Sequence, residues 1–98
     1  MTIEKKLNGT ELTVAVAGRL DTTTAPQLEA ALKESFDGIT KLALDFSALE
    51  YLSSAGLRVL LGAQKVMNKQ GEMVIKNVNE TIQEIFEVTG FIDILTVE

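Results

Sequence analysis

Two adjacent hydroxyl side chains, Ser53 and Ser54, stand where a short connection gives way to the longest predicted helix of the chain. The amide groups at a helix N-terminus are unpaired and carry a partial positive charge, so a phosphate on a serine there is electrostatically favoured. Serine at this place also serves as an N-cap, with its oxygen accepting a backbone amide hydrogen. From the residues alone the capping role has the stronger support, and phosphorylation is the functional alternative.

Two carboxylates, Asp21 and Asp45, fall at the ends of predicted strands. Such oxygen ligands can hold Mg²⁺, but strand-end carboxylates also accept amide hydrogens from the turn that follows. Receiver domains, which are phosphorylated on an aspartate, need an acidic pair after their first strand, and the segment Val14–Gly18 has none. The chain also has no glycine-rich loop that could bind a phosphate. We therefore expect no metal, no cofactor and no catalytic residue in the chain, and no enzymatic activity.

The composition excludes several further classes of protein. The 98 residues include neither cysteine nor histidine, which removes disulfides, thiolate or imidazole zinc sites and histidine-dependent triads. A net charge of −5 has the wrong sign for binding nucleic acid. Without a long apolar run or a signal peptide, we expect a cytoplasmic chain with no direct membrane insertion. The length predicts a single domain over residues 1–98, and we expect a monomer when the chain is free.

Four segments have the pattern of strands: Ile3–Leu7, Leu12–Ala17, Lys41–Phe46 and Met73–Ile75. The first two are joined by the turn pair Asn8-Gly9. Small apolar residues on the second face of Leu12–Ala17 predict an interior strand that is covered on both sides. The segment Ser47–Leu52 is interpreted as a connection.

Three segments have the pattern of helices. The first follows Thr24, whose spacing to Gln27 fits a capping box, and Asp37-Gly38 ends it. The others are Ser54–Lys69 and a segment between Asn79 and Gly90. No element is assigned to the tail after it. The order β-β-α-β-α-β-α is typical of an α/β sandwich with a mixed, mostly parallel sheet of about four to five strands and three to four helices.

A helical wheel divides the residues of the longest helix into a core-facing arc and an outer face. The predicted core arc consists of Gly56, Val59, Leu60, Ala63, Val66 and Met67. Leu57 and Leu61 fall outside this arc, on the flank next to Arg58. Such a leucine pair beside a helix start is a candidate docking patch. The alternative is that the first helix or the preceding connection covers the pair.

Two motifs resemble the signatures of a known family. The runs Asp45-Phe46-Ser47-Ala48-Leu49 and Ser53-Ser54-Ala55-Gly56-Leu57 resemble the signature of STAS domains, specifically the stand-alone anti-sigma-factor antagonists of bacteria. The turn Gly18-Arg19-Leu20-Asp21, followed by Thr24, is similar to the second signature of that family. The likeness runs from about Ile3 to the end of the chain and implies a STAS-like sandwich.

The resemblance implies a protein–protein switch that regulates transcription. In that family the unphosphorylated antagonist binds an anti-sigma factor that is also a serine kinase, phosphorylation separates the two, and a serine phosphatase resets the cycle. The position of the phosphoacceptor matches Ser54. Ser53 stands where many relatives have Asp, so this chain has a second candidate hydroxyl at that position. The expected partner surface consists of Asp21, Thr22, Thr23, Ser53, Ser54, Leu57, Arg58 and Leu61.

A second role in the same family remains open. Some STAS-type subunits are scaffolds or regulatory parts of membrane transport complexes, lipid transporters among them, and undergo no phosphorylation cycle. The run Ser53-Ser54-Ala55 is compatible with that role.

Overall fold

A computed structural model describes the whole chain from Met1 to Glu98 as five strands, three α-helices and a short 3₁₀ turn. In chain order the elements are β1 (Thr2–Asn8), β2 (Glu11–Leu20), α1 (Ala25–Lys33), β3 (Lys41–Asp45), β4 (Leu49–Leu52), α2 (Ser54–Gln70), β5 (Glu72–Lys76), α3 (Glu80–Thr89) and the 3₁₀ turn (Phe91–Asp93). The predicted α/β class and the mixed sheet of four to five strands are confirmed, and the fifth strand lies outside the four segments that were predicted as strands. None of the helices combines the length and the hydropathy needed to cross a bilayer.

The main sheet has the strand order β1-β2-β3-β5, in which β1 is antiparallel to β2 and the other pairs are parallel. The predicted interior position of β2 is confirmed. The interpretation of Ser47–Leu52 as a plain connection was wrong, because Leu49–Leu52 forms β4 and pairs in parallel with the end of β2. In β4, two exposed residues separate the buried Leu49 and Leu52, so the strand lacks the alternation that would have revealed it.

One face of the sheet carries the hydrophobic core. The core cluster of 23 residues includes Leu12, Val14 and Val16 of β2 together with the buried faces of the three α-helices. The other face of β2 stays half-buried and outside that cluster, so the expectation that both faces are covered was wrong. Its interior position follows from the strands on either side of it, and a second layer of helices is not required.

The start and end of α1 differ from the prediction. The Thr24 hydroxyl makes no capping bond to the helix; it lies 2.8 Å from the Arg19 carbonyl oxygen and accepts the Asp21 amide hydrogen at 2.8 Å. The helix ends at Lys33, and half-buried Phe36 packs against the core from beyond its end. Contacts with the preceding loop have therefore replaced the predicted capping box.

The other two helices agree with their predicted boundaries. Helix α2 ends one residue after the predicted Lys69, with Gly71 as its C-cap. Helix α3 is capped by Asn79, whose side-chain oxygen accepts the Ile82 amide hydrogen at 2.9 Å, and it ends at Gly90 in the left-handed region. Beyond it the tail returns to the sheet, where Val97 forms a parallel bridge with Ile75.

Candidate functional site

The carboxyl ends of β2 and β4 lie side by side and bring two predicted site segments together. Strand β2 ends at Leu20 and β4 ends at Leu52, and these residues are paired in register. The Ser53 amide donates to the Leu20 carbonyl at 2.9 Å, which ties the start of α2 to the loop that begins at Asp21. Loops at the carboxyl ends of parallel strands are the usual binding region of such sheets.

The two serines at the start of α2 have different roles. Ser53 is the N-cap, with extended backbone dihedrals and a side-chain oxygen that accepts the Gly56 amide hydrogen at 3.4 Å. Ser54 is the first residue of the helix, its side chain is exposed, and the first turn contains no acidic residue. Since Ser53 supplies the cap, the Ser54 hydroxyl is free for other chemistry at the positive end of the helix.

Gly56 lets the first turn of α2 approach the two strand ends closely. A Cβ atom at this position would lie 2.7 Å from the Leu52 Cδ1 atom and 2.8 Å from the Leu20 Cγ atom. A side chain larger than hydrogen would therefore push α2 away from β2 and β4. The backbone approach at Gly56 sets the position of the Ser54 hydroxyl relative to the Asp21 loop.

Asp21 organises the loop that faces the start of α2. One of its carboxylate oxygens accepts the Thr23 amide hydrogen at 3.0 Å, the Thr23 hydroxyl at 2.8 Å and the Thr24 amide hydrogen at 3.1 Å. The Thr23 hydroxyl bond, with smaller contributions from Thr24, lowers the pKa of Asp21 in spite of some desolvation. The carboxylate is ionised at neutral pH and holds the loop in one conformation.

A shallow depression of about 190 Å³ connects the Asp21 loop with α2. Thr22 and Arg58 line it from opposite sides, together with Ala55, the residue after Ser54. The other lining residues are Ala25, Pro26, Glu29 and Val59. We refer to Asp21, Thr22, Ser54 and Arg58 as the Ser54 surface.

The helical wheel placed one of the two flanking leucines wrongly. Leu57 is only 5% exposed and belongs to the core cluster, so it is not available to a partner. The buried arc of α2 extends to Gln64, one heptad after Leu57, while Val66 on the opposite margin is half-buried. Leu61 remains half-buried and stays a candidate contact.

An exposed aromatic–cation pair lies beside the Ser54 surface, and no pattern in the sequence indicates it. Arg19 and Tyr51 are paired across β2 and β4, and the Arg19 guanidinium carbon lies 4.3 Å from the centre of the Tyr51 ring. The Arg19 Nε atom is 3.9 Å from a carboxylate oxygen of Asp21. Both residue types are common in binding hot spots. Their proximity depends on β4, so only a prediction of that strand could have indicated it.

Asp45 lies apart from Asp21. Asp45 ends β3 and is paired with Ala15 of β2, whereas Asp21 comes directly after Leu20, the last residue of β2. The two aspartates are therefore separated along the strand direction by about six residues, or roughly 20 Å. The Asp45 carboxylate accepts hydrogen bonds from the Asn77 side chain and the Ser47 amide, each at 3.0 Å, and these bonds lower its pKa. The two aspartates cannot share one Mg²⁺ ion, because metal–oxygen distances are only about 2 Å.

Comparison with known proteins assigns the family. The STAS domain model matches residues 2–98. The Bordetella bronchiseptica protein BtrV, which carries the provisional name of an anti-sigma factor antagonist, is 40% identical over 88 residues, or 88% of this chain and 76% of BtrV. The anti-sigma-B factor antagonist of Listeria monocytogenes is 33% identical over an alignment of 102 positions, which covers 100% of this chain and 89% of that protein.

A solved structure gives the same fold. The Bacillus cell fate determinant SpoIIAA in its phosphorylated form superimposes with a TM-score of 0.77 at 17% identity, covering 99% of this chain and 91% of that one. The chain belongs to the STAS domain family, as the resemblance of its two motifs predicted. The Listeria relative is named an anti-sigma-B factor antagonist, and BtrV provisionally has the same kind of name.

Proposed function

We propose that this chain is an anti-sigma-factor antagonist that acts as a phosphorylation-controlled binding switch in the cytoplasm. The unphosphorylated chain binds an anti-sigma factor that is also a serine kinase, which frees the sigma factor for transcription. The name of the Listeria relative supports the binding role, and the phosphorylated form of SpoIIAA supports the modification. The observation in this molecule that carries the proposal is the exposed hydroxyl of Ser54 at the first position of α2.

The modification is a phosphoryl transfer from ATP bound to the kinase. The Ser54 Oγ atom forms a bond to the γ-phosphorus, the bond between that phosphorus and the bridging oxygen breaks, and ADP leaves. The hydroxyl proton passes to a base of the kinase. A serine phosphatase reverses the state, with water cleaving the phosphate ester to restore the hydroxyl and release inorganic phosphate. The chain itself contributes only the acceptor oxygen.

The fold of α2 accommodates a phosphate on Ser54. Ser53 supplies the cap, so modification of Ser54 removes no capping bond. The positive end of the helix dipole stabilises the added charge, which no acidic residue of the first turn opposes. Arg58, one turn further along α2, is exposed and has a side chain long enough to reach a phosphate on Ser54. Serine and aspartate are both good caps. Ser53, which stands where many relatives have Asp, therefore still caps the helix and leaves Ser54 as the acceptor.

Release of the partner follows from the change in charge. A phosphoserine carries about −1.5 to −2 charges at neutral pH, which it would add to a surface that already contains the ionised Asp21 carboxylate. A partner that packs against a neutral hydroxyl would then have to desolvate a dianion or leave. The partner surface that we propose consists of Asp21, Thr22, Thr23, Ser53, Ser54, Arg58 and Leu61, with Arg19 and Tyr51 added and Leu57 removed.

The proposal can be tested with the serine kinase that is encoded nearest to this chain. Incubation with this kinase and Mg-ATP, followed by mapping of the phosphosite by mass spectrometry, is expected to place one phosphoryl group on Ser54. The Ser54→Ala variant should remain unmodified and stay bound to the kinase. The matched Ser53→Ala variant should still be modified and released.

Two results would contradict the proposal. One is modification at Ser53 in the wild-type chain. The other is a complex with the kinase that stays together when ATP is added. If the chain binds no kinase and instead copurifies with a membrane transport complex, the scaffold role that the family also allows would replace the switch.

A further inference from the structure

Strand β1 presents a free edge along its whole length. It lies at the end of the strand order and pairs only with β2. Six of its seven residues are exposed, and Leu7 is 64% exposed, which is high for a large apolar side chain. An exposed edge of this kind is a template for pairing with a further strand.

The hairpin geometry decides which backbone groups of β1 point to that edge. A two-residue turn separates the paired residues Asn8 and Glu11, and Gly9 at its first position has a φ of 65°. The pair flanking such a turn is hydrogen bonded, and bonding alternates along an antiparallel ladder. Counting back from Asn8, every second residue bonds to β2, so the backbone groups of the intervening residues point outward: Ile3, Lys5 and Leu7.

We propose that this edge binds a second copy of the chain, with β1 antiparallel to β1 about a twofold axis through Lys5. In this register Lys5 opposes its own copy and Ile3 opposes Leu7, so residues with outward-pointing backbone groups face one another. Their amides and carbonyls then meet in hydrogen-bonding geometry. A register shifted by one residue would bring outward-pointing groups opposite inward-pointing ones and lose these bonds.

Charge selects this register over its nearest competitors. With the axis at Lys5, Glu4 of each copy lies directly opposite Lys6 of the other, which gives two favourable cross-strand pairs. A shift by two residues would instead place Glu4 opposite Glu4 or Lys6 opposite Lys6, and like charges directly opposite are destabilising. The Lys5 ammonium already lies 2.6 Å from a carboxylate oxygen of Glu34, which offsets the approach of the two Lys5 side chains.

Apolar contact adds to the pairing. Exposed Leu7 comes to lie beside half-buried Ile3 of the second copy, and the twofold axis repeats the contact. The ladder is short and the buried area is small, so the association is weak and depends on concentration. This inference replaces the expectation of a monomer at high concentration. It is independent of the proposed switch, because it uses no residue of the Ser54 surface.

Sedimentation equilibrium of the full chain between about 10 μM and 1 mM tests the proposal. The average mass of the wild-type chain is expected to rise from 10.6 kDa toward twice that value. The Glu4→Lys and Lys6→Glu variants should each stay at the mass of one chain, because both substitutions create two like-charge pairs. An equimolar mixture of the two variants should associate again, because opposite charges then face each other across the axis.

Two further variants separate edge pairing from other effects. Lys5→Pro removes the Lys5–Glu34 ion pair and, from the backbone, only an amide that points outward, so β1 keeps its bonds to β2 while association is lost. Lys65→Glu makes the same charge change as Lys6→Glu at an exposed position of α2 and should associate like the wild-type chain. A wild-type chain that remains at 10.6 kDa throughout, or a mixture of variants that fails to associate, would overturn the proposal.

Discussion

Two regions of the molecule are built to the same plan. In one, Asp21 follows β2 and α2 begins after Ser53; in the other, Asp45 ends β3 and α3 begins after Asn79. Each carboxylate accepts the amide hydrogen of the residue two positions later at 3.0 Å. Each cap accepts the amide hydrogen of the residue three positions later, at 3.4 Å for Ser53 and 2.9 Å for Asn79.

The two regions differ in the first residue of the helix. Helix α2 begins with the exposed hydroxyl of Ser54 and has no acidic residue in its first turn, whereas α3 begins with Glu80. The positive end of α3 therefore already has a negative charge beside it. The Asn79 cap is also fixed through its amide, which donates to the Leu49 carbonyl at 2.8 Å. Strand-end carboxylates and caps stabilise both regions, but only α2 offers a hydroxyl where added charge is favoured.

The largest effect is expected from the close approach that only the α2 region requires. Gly56→Ala should lower the free energy of unfolding by about 1–3 kcal/mol, because the new methyl group collides with Leu52 and Leu20. Gly62→Ala in the same helix meets no atom within 4 Å and should stabilise the chain by about 0.5–1 kcal/mol. Urea unfolding of both variants measures the difference, and equal effects would show that α2 does not press against the strand ends.

The two caps should differ in strength. Asn79→Ala is expected to cost about 1–2 kcal/mol, because it removes the shorter capping bond and the bond to Leu49. Ser53→Ala should cost less than about 1 kcal/mol, because its capping bond is longer. The same denaturation measurement ranks them, and a larger loss for Ser53→Ala would reverse the comparison.

Acid should weaken both regions in the same direction and by a smaller amount. The Thr23 hydroxyl lowers the pKa of Asp21, and the Asn77 amide lowers the pKa of Asp45. A folded-state pKa below the unfolded value means that each carboxylate contributes stability at neutral pH. That contribution is lost as the pH falls below about 4 and through the folded-state pKa. Asp21→Asn and Asp45→Asn should each flatten the decline in unfolding free energy below about pH 4. A decline as steep as that of the wild-type chain in both variants would contradict these assignments.

Much of this arrangement could be predicted from the sequence. The period of the strands, the Asn79 cap and the Gly90 stop predicted most elements, because those signals depend on neighbouring residues alone. The position of Ser54 at a helix start makes it a candidate site, and the resemblance to the family implies that it is the phosphoacceptor. The prediction missed β4 and, with it, the contact between Arg19 and Tyr51. Strand β4 and the contact between Arg19 and Tyr51 both depend on pairing between segments that are distant in sequence. The periodicity of residues within one segment does not predict such pairing.

Burial on α2 was harder to predict for a related reason. A helical wheel orders residues by angle but does not show how wide the buried arc is, so it predicts the same exposed flank for Leu57 and Leu61. The fold buries Leu57 and leaves Leu61 half-buried. Thr24 makes no capping bond because its hydroxyl donates to the Arg19 carbonyl and accepts from the Asp21 amide.

The central claim is that a phosphate on Ser54 stops partner binding and leaves the fold unchanged. Calorimetric titration of the anti-sigma factor into the unmodified and Ser54-phosphorylated chains tests it directly, with thermal unfolding recorded on the same samples. We predict at least about 100-fold weaker binding after phosphorylation and a midpoint of unfolding that moves by less than about 2 °C. Unchanged affinity, or affinity lost only because the phosphorylated chain has unfolded, would contradict the claim.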